Sequence, residues 1–193
     1  MMFTAEPPEV PQPEPSSAHT VVVAVPEGRA EMAVRQLLER STKAPDPARL
    51  SDGDVSVIVP DRIPAACVYR SAADYSLSPL VFLALLKQES GGRTGLVSPN
   101  TNGTFDLGPA QLNTSSWAAF FEKKYNISKA DMIHNMCQSI RAMAYAVRYE
   151  INGANGDLWR GIGNYHSRTK VHHDKYVKAV YAQYRRMVTT GKF

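Results

Sequence analysis

From Ile63 onward the apolar residues of this chain recur at three- and four-residue intervals, and they predict a run of helices. The first covers Pro64 to Tyr75. Ser78-Pro79 then pairs a cap residue with a proline at the first helical position, which opens a second helix. Its residues Leu80 to Leu86 are apolar on every face, so it is central, and Gly91-Gly92 ends it. Trp117, Phe120, Phe121 and Lys124 mark a short amphipathic helix. Met136, Ile140, Met143, Ala144, Val147 and Ile151 mark a longer one, closed by Asn152-Gly153. Asp174 is expected to cap a last helix bearing Tyr176, Val177, Val180, Tyr181, Tyr184 and Met187. Thr94 to Pro109 and Asn152 to Asp157 are expected loops. Residues 61–193 therefore form a domain of all-α class.

Residues 1–60 follow a different pattern and are expected to be an extension. Five of the thirteen prolines fall between Pro7 and Pro15, among Glu, Gln and Ser, so Met1 to Ser17 reads as an extended, unpacked arm. Val21 to Val25 and Val55 to Val59 are β-branched runs of strand length. Between them Ala30, Ala33, Val34, Leu37 and Leu38 have helical spacing.

With 193 residues and 44% hydrophobic content, the chain can bury one ordinary core with length left for an appendage. The net charge of +4 is modest and no Lys/Arg block points to nucleic acid. Basic and acidic residues number 5 against 9 in residues 1–60 but 8 against 1 in residues 160–193. That basic end suits a polyanion, or is a solvated helix face. No apolar run reaches the ~20 residues of a membrane span. Met1 to Ser17 lacks the basic start and apolar stretch of an export signal. Cys67 and Cys137 allow one pairing, closed in an oxidising compartment, or two independent buried thiols.

The candidate chemistry centres on Glu89, at the carboxyl end of the central helix. Phe82, Leu85 and Leu86 precede it by seven, four and three residues on the same face. Desolvation and the negative end of the helix dipole both raise a carboxyl pKa, so this acid would stay protonated near neutral pH, as a general acid must. Taken alone, it is also compatible with an ordinary exposed glutamate ending a helix.

Three stretches carry a resemblance. Leu85-Leu86-Lys87-Gln88-Glu89-Ser90-Gly91-Gly92 resembles the Glu-Ser motif of the soluble lytic transglycosylases, lysozyme-like enzymes that cleave peptidoglycan glycan strands. Asp106-Leu107-Gly108-Pro109-Ala110-Gln111-Leu112-Asn113 resembles their Gly-Leu-Met-Gln-Ile-Asn motif. Gly161-Ile162-Gly163-Asn164-Tyr165-His166-Ser167 stands where the family has Ala-Tyr-Asn. All three occur in the family's order, and the resemblance covers about Ile63 to Tyr184. Cys67 and Cys137 stand where a subgroup has a disulfide, one that serves type IV conjugation and type III secretion machines.

The resemblance implies that Glu89 protonates the glycosidic oxygen and then takes a proton from the attacking hydroxyl. The 6-hydroxyl of N-acetylmuramic acid attacks its own anomeric carbon and leaves a 1,6-anhydro end. Hydrolases of either stereochemistry need a second carboxylate; here the substrate supplies the nucleophile. Ser90 is expected to bond the substrate, Gln111 to hold a sugar amide or hydroxyl alongside Asn113, and Tyr165 to donate its hydroxyl toward Glu89. Pro109-Ala110 and His166 depart from the motifs, and His166 would add a pH-dependent contact. Unaided by the resemblance, Ser90 reads as a helix cap, Gln111 and Asn113 as turn formers, and Tyr165 as a core tyrosine.

No metal or organic cofactor is implied, and the partners are glycan strands and components of a secretion or conjugation machine. The site of action implied is the periplasm or cell envelope. Two other readings stand beside this one. Asp106 as a second carboxylate would make a goose-type muramidase that uses water. A wall-binding scaffold would keep the groove without the chemistry. Asp131 and Asp157 read as helix-cap or loop residues. His166, His172, His173 and Asp174 lack metal-site spacing, and Cys137 with His134 lacks a third group to orient a nucleophile.

Overall fold

A computed structural model describes residues 49–193 except Asp54. The expected arm Met1 to Ser17, the Val21 to Val25 strand and the Ala30 to Leu38 helix lie outside the described residues. Seven helices follow within them: α1 (Ala65–Asp74), α2 (Pro79–Ser90), α3 (Trp117–Tyr125), α4 (Lys129–His134), α5 (Met136–Gly153), α6 (Leu158–His166) and α7 (Lys170–Thr190). The fold is mainly helical, as expected.

Helix α2 is central to the described domain because Leu80 to Leu86 leave it no polar face. Every residue from Leu80 to Leu86 is at most 7% exposed. Ser78 caps it by accepting a hydrogen bond from the Val81 amide, 3.3 Å, with Pro79 as its first residue. At the other end Gly91 (φ 64°) and Gly92 (φ 67°) take the left-handed conformation that ends a helix at little cost for glycine. A Cβ on Gly92 would also lie 2.4 Å from the Ile63 side chain. The Arg62 guanidinium donates to the Gly91 and Gly92 carbonyls at 2.9 and 3.0 Å, satisfying oxygens that the helix end leaves open.

α2 packs on α1 and along α7, while α5 packs on α1, α4 and α6. Two glycines permit the closest of these approaches. A Cβ on Gly161 would come within 2.6 Å of the Ile151 backbone, and one on Gly163 would fall 2.2 Å from the His173 ring. Cys67 on α1 and Cys137 on α5 form a disulfide, with Cα atoms 5.4 Å apart.

Two small sheets accompany the helices. Val55–Ile58 (β2) forms where the valine-rich run predicts a strand, and it pairs with Arg49–Asp52 (β1). Val57 is fully buried in the same core as α2. The carboxyl-terminal residues extend this hairpin, the Ile58 amide donating to Gly191 O at 2.8 Å and the Phe193 amide to Ile58 O at 3.0 Å.

The stretch expected as a loop, Thr94 to Pro109, instead holds β3 (Val97–Pro99) and β4 (Phe105–Leu107), which pair with β5 (Leu112–Asn113). Strands this short show no readable alternation. Their turn uses Gly103 at φ 81°.

Three helix starts refine the expectations. α4 begins in a reciprocal capping box between Ser128 and Asp131, and Asp157 caps α6 by accepting from the Arg160 amide at 3.0 Å. Asp174 does not cap α7. That helix starts a turn earlier, the His172 and His173 amides donating to Thr169 O at 3.0 and 2.9 Å, and Asp174 pairs instead with Lys170 and His173.

Candidate active site

The end of α2, the β3–β4–β5 sheet, the start of α3 and the turn between α6 and α7 surround a groove of about 700 Å³. Glu89 lines it together with Asp106, Gln111, Asn113, Tyr165 and His166. Motifs far apart in sequence thus meet around one carboxyl group.

Glu89 is held at the edge of the most apolar helix. Burial raises its pKa to about 7; the Tyr176 hydroxyl, which donates to Oε1, draws it down, and the nearby Asp106 charge adds a smaller upward push. A carboxyl poised near neutrality can both give and take a proton.

Tyr165 does not donate to Glu89, contrary to the expectation. The Tyr165 hydroxyl donates to Ala110 O at 2.6 Å, tying the α6 end to the loop after Gly108. Tyr176, on the first turns of α7, reaches Glu89 instead because α7 packs along α2. Burial, and next the Glu89 charge, push both phenols well above their ordinary pKa, so both remain donors. Sequence reasoning saw Tyr176 only as one apolar position on a helix face. The available signal was a hydroxyl-bearing residue sharing the buried face with Val180 and Met187, since a buried phenol requires a partner.

Ser90 does not line the groove. It is 4% exposed, and its hydroxyl accepts from the Gly92 and Arg93 amides at 3.1 and 3.3 Å while facing Leu86 O. It terminates the helix that presents Glu89, because at i+1 its side chain points a third of a turn away.

Gln111 and Asn113 are groove residues held by their neighbours. Gln111 (φ 50°) accepts from Ser98 Oγ at 2.6 Å and donates to Gly108 O at 2.8 Å. Asn113 donates to Asp106 Oδ1 at 2.8 Å and Thr104 Oγ1 at 2.9 Å. The loop holding them depends on Gly108 (φ 64°), where a Cβ would lie 1.8 Å from Met132 O. His166 stacks flat on Tyr176, centroids 4.4 Å apart and planes 6° from parallel. Burial lowers its pKa, His172 lowers it further and Asp106 opposes them.

Trp117 and Asn164, not singled out for the site, also line the groove. Trp117 is braced by Phe120, Phe121, Tyr145 and Tyr149 at centroid distances of 5.4–6.2 Å. A flat apolar face among amides and hydroxyls matches a sugar ring, which has an apolar face and polar edges. Among the described residues no His, Cys, Asp or Glu cluster could hold a metal ion, and no helix is long and apolar enough to cross a membrane.

A helical domain that presents a glutamate to a polar groove fits the lysozyme-like class of glycan-cleaving proteins. The model of the family described as "Transglycosylase SLT domain" matches residues 66–186, and the chain belongs to that family. It is a peptidoglycan lytic transglycosylase. Among curated proteins it is similar to "Invasion protein IagB" of Salmonella typhimurium and of Salmonella typhi. Each is 24% identical over 127 residues, 64% of this chain and 78% of the relative.

Proposed function

We propose that Glu89 acts alone as acid and base in a non-hydrolytic cleavage of the β-1,4 bond between N-acetylmuramic acid and N-acetylglucosamine. The protonated carboxyl donates to the glycosidic oxygen as the bond from that oxygen to the muramyl anomeric carbon breaks. The muramyl 6-hydroxyl then bonds to that carbon, assisted by the N-acetyl group, and gives its proton to the Glu89 carboxylate. The products are a 1,6-anhydromuramyl end and a free hydroxyl on the released strand, and Glu89 is protonated again. Tyr176 orients the carboxyl, and Gln111, Asn113 and Trp117 hold the sugars. The observation that carries this reading is a groove-facing Glu89 raised to about 7 and bonded to the Tyr176 hydroxyl.

One observation favours a second reading. Asp106 lines the same groove, where as a base it would activate water and make the enzyme a muramidase. Its Oδ1 accepts a hydrogen bond from Asn113, which supports a structural role. Mass spectrometry of fragments released from purified peptidoglycan separates the two readings. Anhydromuramyl ends that vanish in Glu89→Gln support the first; reducing ends that vanish in Asp106→Asn support the second.

The biological reading is local wall opening in the cell envelope for a secretion or conjugation machine. The Salmonella relatives are named invasion proteins, and the disulfide fits an oxidising compartment. The proline-rich arm at the amino end is the segment that would dock on the machine. Deleting residues 1–48 is expected to abolish secretion while leaving cleavage of purified wall intact.

A further inference from the structure

After Asp174 the chain contains no acidic residue, while Lys175, Lys178, Arg185, Arg186 and Lys192 supply five cations. Tyr176, Val180 and Met187 occupy the buried face of α7, and Lys175, Lys178, Arg185 and Arg186 are all exposed. Lys178 and Arg185, seven residues apart, lie within ~20° of each other around the helix and about 10 Å apart along it. Lys175 and Arg186 flank them on one side, about 16 Å apart along the axis.

None of these four cations has an acidic partner among the described residues. The ion pairs among the described residues are Lys129–Glu122, Arg168–Glu150, Lys170–Asp174 and His173–Asp174. Lys170, nearer the amino end of the same helix, is neutralised, so the free charge begins one turn past it. His172, on that first turn, lines the groove, and the four free cations follow it toward the carboxyl end of the helix.

We propose that this face of α7 is a second binding surface, which holds the carboxylates of peptidoglycan stem peptides while one glycan strand lies in the groove. The proposal rests on the peptidoglycan reading given above. The groove offers amides, hydroxyls and an indole, which suit the uncharged sugars. It provides no free Lys or Arg for the peptides those sugars bear. α7 supplies the missing charge on long side chains with no fixed partner. Such a surface suits ligands whose positions vary from strand to strand, with strength from the number of contacts. Each contact is solvent-exposed, so binding weakens as salt shortens the screening length below its ~8 Å physiological value.

The test uses the full chain carrying Glu89→Gln, so that binding to insoluble sacculi is read by co-sedimentation without turnover. The expected result is about tenfold weaker binding for K175Q/K178Q/R185Q. A matching loss is expected for the parent on sacculi whose carboxylates have been amidated. K175R/K178R should bind like the parent, and thermal melts should show both variants folded. Equal binding by the neutralised variant overturns the proposal, as does equal binding to intact and amidated sacculi. Uptake by vesicles of anionic phospholipid, without charge-dependent binding to sacculi, overturns it in favour of a membrane surface. Failure of the catalytic reading would appear separately, as an absence of anhydromuramyl ends in wild-type digests.

Discussion

Burial at the end of α2 and the hydroxyl of Tyr176 act on Glu89 in opposite directions, and burial wins, leaving its pKa at about 7. If the protonated carboxyl is the working form, activity is flat below that value and falls as pH rises through it. Tyr176→Phe removes a donor that stabilises the carboxylate, so the alkaline limb should move to higher pH, measured as the pH profile of kcat. Glu89→Gln should lower turnover by about 10²–10⁴-fold or more while the chain remains folded. The same shift gives a stability signature. The folded-state pKa is raised from 4.5 to about 7, so the folded protein binds the proton more tightly and wild type loses stability as pH rises across that window. The melting temperature of Glu89→Gln should therefore gain on wild type between about pH 4.5 and 7 and hold a constant lead above it. Residue identity made Glu89 and its motif legible in the sequence. The partner was not, because the Tyr176 bond spans 87 positions and depends on the packing of two helices.

Among the elements, those with a strong period or a cap were legible and the short ones were not. α2 announced itself through seven apolar residues between Ser78-Pro79 and Gly91-Gly92, and α5 through its amphipathic stripe. The β3–β4–β5 sheet escaped because strands of three, three and two residues have too few positions to alternate. That sheet carries one side of the groove, so the part of the site least visible in sequence is the part built from loops and strands. The α5–α6 contact yields a prediction at this scale. Gly161→Ala places a methyl 2.6 Å from the Ile151 backbone, which cannot move without shifting α5. It should destabilise the protein by about 1–3 kcal/mol, read by chemical denaturation, and lower activity through the displaced Tyr165.

At the scale of the molecule, the Cys67–Cys137 bridge ties α1 to α5 across 70 residues. Closing a loop of that length removes unfolded-state entropy worth about 4 kcal/mol. Reduction, or the C67S/C137S variant, should lower the denaturation midpoint accordingly, and unreduced protein should titrate no free thiol. The sequence by itself determined the helical class, the central helix, the three motif segments and the glutamate. The helical class and the central helix follow from local spacing, and the motif segments and the glutamate from their resemblance to the family; neither needs knowledge of what lies across the fold. Only the tertiary structure decided that Tyr176 rather than Tyr165 bonds Glu89, that Ser90 ends a helix instead of facing the groove, and that Asp106 shares the groove with Glu89. Each of those depends on which side of one element meets another, and the direction of a side chain across a packed interface is set by the whole core.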